Sequence, residues 1–187
     1  MIKLSAMGDN FVINIGRQLG SGGREIGEKL AASLEISFYD KELINLASEE
    51  SGLCRDFFEK ADDKPSQPLM NGLFGMRFPF PNDSIMACNS CLSNDALFKV
   101  QSDVIRKLAA EKSCLFVGRC ADYILRDHPR HVNVFVSASL DDRIERLCQT
   151  MHVGKAEAEE LIERTDKKRS EYYNYYSYKT WGAAATY

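Results

Sequence analysis

Short apolar runs alternate along this chain with longer segments in which apolar residues recur every three or four positions. The short runs predict buried strands, which cover residues 11–15, 36–39, 114–117 and 132–136. The periodic segments predict helices, which cover residues 24–34, 41–50, 95–108, 139–151 and 155–173. Ser139 stands three residues before Asp142, which is the spacing of an N-terminal helix cap.

The order of these elements predicts the fold class. Because strands that are apolar throughout must be covered on both faces, the pattern indicates a parallel sheet between two layers of helices, a three-layer α/β sandwich. Residues 62–93 interrupt the pattern, since they contain four of the five prolines and show no sustained period. We interpret them as a long loop or flap, so that residues 1–187 form a single domain.

The composition is that of an ordinary globular protein. The chain has 187 residues, of which 44% are hydrophobic, and a net charge of −3. This balance gives no basic field for nucleic acid or for an anionic membrane, so local groups must hold any anionic ligand. No apolar run approaches the roughly 20 residues that span a bilayer, and the first ten residues lack the layout of a secretory signal. With six scattered cysteines, these features predict a cytoplasmic protein with reduced thiols.

Two sequence features that resemble ligand sites are expected to have structural roles instead. Cys88 and Cys91 have the spacing of half a zinc site, but no second pair supplies the four ligands that zinc needs, so no metal site is predicted. The tyrosine-rich tail over 172–181 is expected to pack a terminal helix, or to contact a second subunit of a homo-oligomer. A stacking platform for nucleic acid is less favoured, because basic residues are not densely interleaved with the tyrosines.

Three of the predicted strands end in residues that suit a ligand site. Gly16 and Arg17 follow the first strand, Asp40 follows the second, and Gly118 and Arg119 follow the third. Ligands of parallel sheets bind at the carboxyl ends of the strands. We therefore expect these residues to meet at one site.

The loop between the first strand and the first helix is rich in glycine. Glycines let successive backbone N–H groups turn toward an anion, and the next helix offers its own free N–H groups. The loop therefore predicts a phosphate site of a nucleotide, with a tight turn that binds nothing as the alternative. The residues expected to bind phosphate there are Gly20, Ser21, Gly22 and Gly23.

Four motifs resemble the cytidylate kinase-like family of P-loop nucleoside monophosphate kinases, and they extend over nearly the whole chain. They lie at residues 20–26, 38–44, 117–122 and 164–169. The resemblance implies the fold of the P-loop NTPases, ATP and Mg²⁺ as cofactors, and small nucleotides as partners.

The loop departs from the standard phosphate loop, G-x-x-x-x-G-K-[ST]. When the two are aligned on Gly22, Arg17 replaces the first glycine, Gly23 replaces the lysine and Arg24 replaces the hydroxyl residue. Either arginine could supply the missing charge for the phosphates. Arg24 is favoured, because it opens the helix that faces the phosphates, and Ser21 could supply the hydroxyl.

The resemblance also implies an acceptor site. Asp40 matches the family's aspartate after the second strand, although it equally suits a cap for the next helix. Gly118 and Arg119 resemble the Gly-Arg-Asp motif that holds the monophosphate, with Cys120 where the aspartate is expected and Asp122 two residues later. Arginine suits this task because its planar fork binds two phosphate oxygens at once.

A helical lid over about residues 140–173 is the last implied part. Arg164 and Arg169, with Asp166 between them, resemble the lid helix whose arginines close over the transferring phosphates. The alternative is a plain solvated helix face, because the neighbouring residues are charged as well.

The function implied by the resemblance is a kinase. It would transfer the γ-phosphoryl group of ATP, with Mg²⁺, to a nucleoside monophosphate such as CMP or dCMP, or to another small acceptor. The catalytic residues would be Arg24, Arg119, Arg164 and Arg169. Because the loop lysine is absent, the alternative is a regulatory module that binds a nucleotide or another anion without turnover. On the helix before the lid arginines, at most one of Arg143 and Arg146 is expected near a ligand.

Overall fold

A computed structural model describes residues 10–41, 44 and 94–187 of the chain. Strands and helices alternate along the described residues, as the sequence predicts. The strands are β1 (Val12–Arg17), β2 (Ser37–Tyr39), β3 (Cys114–Val117) and β4 (His131–Val136). The helices are α1 (Gly23–Ser33), α2 (Asn94–Glu111), α3 (Ala121–Ile124), α4 (Leu140–Met151), α5 (Lys155–Ser177) and a closing 3₁₀ turn (Ala184–Thr186).

Within the described residues the strands form one parallel sheet in the order β2-β3-β1-β4. Helix α1 covers one face, where Ala31 joins the cluster of Ile15, Leu115 and Val117. Helices α2, α3 and α5 cover the other face, where Val12 and Phe116 pack in a second cluster. The predicted parallel sheet between two helical layers is therefore confirmed.

Helix α1 buries small residues instead of its large apolar ones. Gly23, Gly27 and Ala31 face the sheet, whereas Ile26 and Leu30 remain 49% and 36% exposed. A Cβ atom at position 27 would lie 3.1 to 3.2 Å from side-chain atoms of three sheet residues, so the helix axis lies close to the strands. This close approach holds the start of α1, and the loop before it, against the carboxyl end of the sheet.

Helix α4 begins at the predicted cap. The Oγ atom of Ser139 accepts a hydrogen bond from the backbone N–H of Asp142 at 3.2 Å, which satisfies one of the free N–H groups of the first turn. The short helix α3 escaped prediction because four residues show no period. The helix expected over 41–50 and the loop expected over 62–93 lie outside the described residues, apart from Lys41 and Ile44.

Two further properties concern the described residues alone. No helix there is both long enough and apolar enough to cross a membrane. The described cysteines at 114, 120 and 148 are free thiols.

Candidate functional site

A cleft of about 920 Å³ opens at the carboxyl ends of β1, β2 and β3. Its wall includes Gly16 and Arg17 from β1, Asp40 after β2, and Gly118 and Arg119 after β3. The parallel sheet brings these strand ends to one edge, so the residues that follow them lie together, as the sequence predicts. Helix α5 and the C-terminal tail form the opposite wall, through residues such as Arg169, Tyr173 and Trp181.

The cleft is positively charged although the chain is acidic. Among the described residues of its wall, the cationic side chains are Arg17, Arg24, Lys41, Arg119, Lys168 and Arg169. The carboxylates there are Glu28, Asp40 and Asp122. Cations thus outnumber carboxylates two to one at this place, while the whole chain has a net charge of −3. Such a local excess in a concave site favours a ligand with several negative charges.

The glycine-rich loop is closed by its own serine. The Ser21 hydroxyl donates to the carbonyl oxygen of Gln18 at 2.8 Å, and the Gly23 N–H approaches Ser21 Oγ at 3.4 Å. Gly22 is the cap residue of α1 with a φ of 79°, a conformation that suits glycine. The side of the loop formed by residues 20–23 does not line the 920 Å³ cleft. At Gly20 and Gly22 the loop faces α4, since Cβ atoms there would lie 2.8 Å from the carbonyl oxygen of Arg143 and 3.2 Å from the guanidinium of Arg146, whereas Gly23 faces the sheet.

An ion pair from helices α4 and α5 holds the loop by its backbone. The Leu19 N–H donates to Asp166 Oδ1 at 2.8 Å, and Arg143 Nε donates to the Leu19 carbonyl oxygen at 2.7 Å. Arg143 and Asp166 also form an ion pair with each other, and their side chains are only 7% and 15% exposed. We call these three residues the loop clasp. Since α5 binds the loop in this way, Asp166 of the expected lid motif contacts the glycine-rich loop itself.

Arg24 and Asp40 bind each other. The Nε and Nη2 atoms of Arg24 lie 2.9 and 2.8 Å from Asp40 Oδ2, and its Nη1 lies 3.3 Å from a carboxylate oxygen of Glu28. Asp40 is buried, whereas the Arg24 side chain is 59% exposed at the cleft wall. The two residues expected to bind phosphate and acceptor separately therefore form one pair that joins α1 to the end of β2.

Arg119 lies in a run of left-handed backbone. Gly118, Arg119 and Cys120 have φ values of 80°, 57° and 56°. A non-glycine residue in this region costs about 1–3 kcal/mol, and such residues cluster at active sites and ligand clamps. The run turns the Arg119 guanidinium over the ring of Tyr172, 5.4 Å from its centre, within the cleft. Burial raises the pKa of the Cys120 thiol to about 12, so this residue packs as a neutral thiol.

Asp122 lies at the buried end of the cleft and is bound by a tyrosine. The Tyr173 hydroxyl donates to Asp122 Oδ2 at 2.6 Å, and the Tyr187 ring stacks on the Tyr173 ring with their centres 6.0 Å apart. Burial raises the pKa of the Asp122 carboxyl above its ordinary value of 3.8, although the Tyr173 hydrogen bond opposes the rise. Burial and the contact with Asp122 likewise raise the pKa of Tyr173.

This raised pKa predicts a pH-dependent stability. Because the folded protein holds the Asp122 proton more tightly than the unfolded chain, the free energy of unfolding falls as the pH rises from 3.8 through the raised pKa. Asp122→Asn keeps an oxygen acceptor for Tyr173 but removes the titration. We therefore expect the variant to gain stability relative to wild type across this window, as measured by urea unfolding at a series of pH values.

The matched control for this prediction is Asp95→Asn. Asp95 also accepts a hydrogen bond from a tyrosine, Tyr176 at 3.0 Å, but it is exposed. Identical pH dependence of wild type and Asp122→Asn would contradict the prediction.

The lid arginines differ in placement. Arg169 lines the cleft, and its Nη1 donates to the carbonyl oxygen of Arg17 at 3.3 Å. Burial lowers the pKa of its guanidinium from 12.5, an effect that Asp166 opposes. Arg164 is exposed and is not part of the cleft wall.

Sequence reasoning missed several residues of the site. The cleft wall also contains Phe38, Thr165, Lys168, Tyr172, Tyr173, Trp181 and Tyr187. Residues 165, 168, 169, 172 and 173 recur at helical spacing on α5, and this stripe was the available signal. The role of Arg143 in the loop clasp had no such signal, because a buried arginine on a charged helix looks like any other surface cation.

The comparisons with known proteins concern nearly the whole chain. The model of the cytidylate kinase-like family matches residues 12–187, while no curated protein matches the sequence. An uncharacterized protein from Eubacterium ventriosum has a solved structure with 28% identity and a TM-score of 0.67, and the match covers 95% of this chain and 84% of that one.

Two further solved structures are more distant. A gluconokinase from Sinorhizobium meliloti has 14% identity and a TM-score of 0.43, with 83% of this chain and 74% of that one covered. The protein TT1252 from Thermus thermophilus has 18% identity and a TM-score of 0.44, with coverages of 86% and 84%.

Proposed function

The chain belongs to the cytidylate kinase-like family, and we propose that it transfers the γ-phosphoryl group of ATP to a nucleoside monophosphate, with CMP or dCMP as the first candidates, or to another small acceptor. Its parallel sheet in the order β2-β3-β1-β4, with helices on both faces, is the α/β fold of the P-loop kinases. The proposal includes a cytoplasmic location, as expected from the sequence.

The observation that carries this proposal is the cationic cleft at the carboxyl end of the sheet. Phosphoryl transfer requires little covalent chemistry from the protein, because the rate depends mainly on positioning and on stabilising negative charge. The cleft provides fixed cations on three sides: Arg17 from β1, Arg119 after β3 and Arg169 from α5. The Arg119 guanidinium lies over the Tyr172 ring and that of Arg169 donates to the Arg17 carbonyl oxygen, so these two cations are positioned before a ligand arrives.

Each step of the transfer has a candidate group. An oxygen of the acceptor phosphate attacks the γ-phosphorus, the bond from that phosphorus to the β–γ bridging oxygen breaks, and ADP leaves with the electron pair. Arg119 would hold the acceptor phosphate with its fork, and Arg169 would stabilise the charge on the transferring group. Mg²⁺ would enter with ATP and neutralise phosphate charge, and Asp40 is the carboxylate of suitable chemistry beside Arg24.

A second function is favoured by the loop itself. The standard lysine and the magnesium-binding hydroxyl are replaced by Gly23 and Arg24, and Arg24 is bound to Asp40 and Glu28. Ser21, the remaining hydroxyl of the loop, bonds to the Gln18 carbonyl oxygen. These features favour a module that binds a nucleotide or another anion without turnover.

An assay of ATP consumption separates the two functions. We expect purified protein with MgATP to release ADP faster when CMP, dCMP or another member of a panel of monophosphates and small acceptors is added. Thermal unfolding with and without MgATP is recorded on the same samples, since binding to the folded state raises Tm. If ATP raises Tm while no acceptor increases ADP release, the kinase function is wrong and the binding function stands.

A further inference from the structure

The two changes that set this loop apart from the standard motif are neighbours in space. Arg17 stands where the motif has its first glycine, and Gly23 stands where it has its lysine. A Cβ atom built on residue 23 would lie 2.6 Å from the Cβ of Arg17 and 3.1 Å from the Cβ of Val136. The Cβ atoms of Arg17 and Val136 are fixed by the backbones of β1 and β4, so they cannot rotate away from residue 23. Position 23 therefore excludes a lysine as long as position 17 has a side chain.

The same arginine side chain occupies the space beside a second glycine, Gly118. The guanidinium carbon and Nη2 of Arg17 lie 3.0 and 3.3 Å from the place of a Cβ atom on residue 118. Gly118 has a φ of 80° and lines the cleft with Arg17. The Arg17 side chain thus extends from the end of β1, over position 118, into the space between the ends of β1 and β3. A polyphosphate bound in this part of the cleft would lie beside the Arg17 guanidinium.

We propose that Arg17 replaces the phosphate-loop lysine, as the cation that binds the β- and γ-phosphates of a nucleoside triphosphate. The assignment rests on the proposed function in that it requires a polyphosphate ligand in this cleft. The standard motif has its positive charge in the first turn of the helix, whereas this chain has it at the end of β1. The glycines at 23 and 118 leave room for the Arg17 side chain. An arginine in this place can hold two phosphate oxygens at once, whereas a lysine offers a single point charge.

The contacts favour Arg17 over Arg24, the residue favoured by its sequence position. Arg24 is 59% exposed and joins α1 to the end of β2 through Asp40, whereas the Arg17 side chain occupies the space that a side chain at position 23 would need. The backbone of Arg17 is held in β1 and by the hydrogen bond from Arg169 to its carbonyl oxygen. Arg169 and Arg119 line the same cleft as Arg17, and a polyphosphate can bind all three.

The first experiment compares Arg17→Met with Arg24→Met. Methionine keeps an apolar stem and removes the charge, so both variants retain packing, and Tm of each confirms folding. Calorimetric titration uses MgATP and, separately, inorganic tripolyphosphate, which lacks a nucleoside. We expect Arg17→Met to weaken binding of both ligands roughly 10- to 100-fold, the range for a hydrogen bond to a charged group, and Arg24→Met to weaken it by a smaller factor.

The second experiment tests directly whether side chains at positions 17 and 23 exclude each other. Gly23→Lys alone is expected to lower Tm and to weaken ATP binding, because the new side chain meets Arg17. The double variant Arg17→Gly/Gly23→Lys removes that obstacle and recreates the standard pair. We expect it to recover Tm relative to Gly23→Lys, and to bind MgATP more tightly than Arg17→Gly does.

The outcomes separate this inference from the proposed function. If Arg17→Met binds tripolyphosphate and ATP as wild type does, the assignment to Arg17 is wrong, while the cleft remains a phosphate site. A double variant no better than Arg17→Gly also overturns it. If wild type binds ATP without turnover and Arg17→Met loses that binding, the assignment holds and the kinase function is wrong. Wild type that binds neither ligand overturns both.

Discussion

Asp166→Ala is expected to lower the free energy of unfolding by about 3–5 kcal/mol, the cost of leaving one partner of a buried ion pair alone. Asp166 and Arg143 are 15% and 7% exposed, so little water replaces the lost carboxylate. The Leu19 N–H loses its acceptor at the same time. Urea unfolding of the two proteins measures the difference. Asp166→Asn keeps an oxygen for Leu19 but no charge for Arg143, and should lie between the two.

Two further variants test whether loss of the buried ion pair causes the lower stability of Asp166→Ala. Asp103→Ala breaks an ion pair with Arg106 whose side chains are about half exposed, and we expect it to cost less than about 1 kcal/mol. The double variant Arg143→Ala/Asp166→Ala removes both charges of this pair and leaves only the partly buried Arg169, 3.7 Å from Asp166 in the wild type, without that carboxylate, so its loss should be smaller than the sum of the two single losses. An Asp166→Ala protein as stable as Asp103→Ala would mean that the loop clasp does not hold the loop.

Arg119→Ala is expected to lower kcat about 100- to 1,000-fold, if the chain is the proposed kinase. This is the usual effect of removing one fixed donor from the groups that stabilise a transition state. Alanine and arginine are both non-glycine residues in the left-handed region, where Arg119 has a φ of 57°, so the backbone energy at this position changes little. Steady-state kinetics with the acceptor found in the panel assay measure the effect, and Tm confirms that the variant folds.

The control for Arg119 is Arg126→Ala. Arg126 also lies over a tyrosine ring, 4.4 Å from the centre of Tyr123, but it is not part of the cleft wall. We expect wild-type kinetics from this variant. Arg119→Lys keeps the charge without the fork and should fall between wild type and Arg119→Ala. Equal kcat values for Arg119→Ala and Arg126→Ala would remove Arg119 from the reaction.

Much of the fold could be predicted because the signals are local. The strands at 12–17 and 114–117 are short apolar runs, and the predicted Ser139 cap depends on a spacing of three residues. The side of α1 that faces the sheet was harder to predict. Ile26 and Leu30 look like its buried stripe, yet the helix buries Gly27 and Ala31, because small residues allow a closer approach to the sheet.

The site could be predicted less completely than the fold. Arg17, Asp40 and Arg119 could be assigned to it, because a residue directly after a strand of a parallel sheet must lie at the ligand-binding edge. The pairing of Arg24 with Asp40 could not be predicted, since it depends on the angle at which α1 crosses β2. Asp166 suggested a lid from its motif, whereas its contact with Leu19 depends on the packing of α5 against the loop.

The sequence by itself determined the alternation of strands and helices, the glycine-rich loop after β1 and the absence of the loop lysine. Only the tertiary structure shows that side chains at positions 17 and 23 exclude each other. The reason is steric, because residues 17 and 23 are six positions apart in the chain and their Cβ positions would be 2.6 Å apart in space. Helix and strand propensities and residue spacing predict the element to which each residue belongs. A steric conflict between side chains of two elements depends on how those elements pack, so the sequence alone does not reveal it.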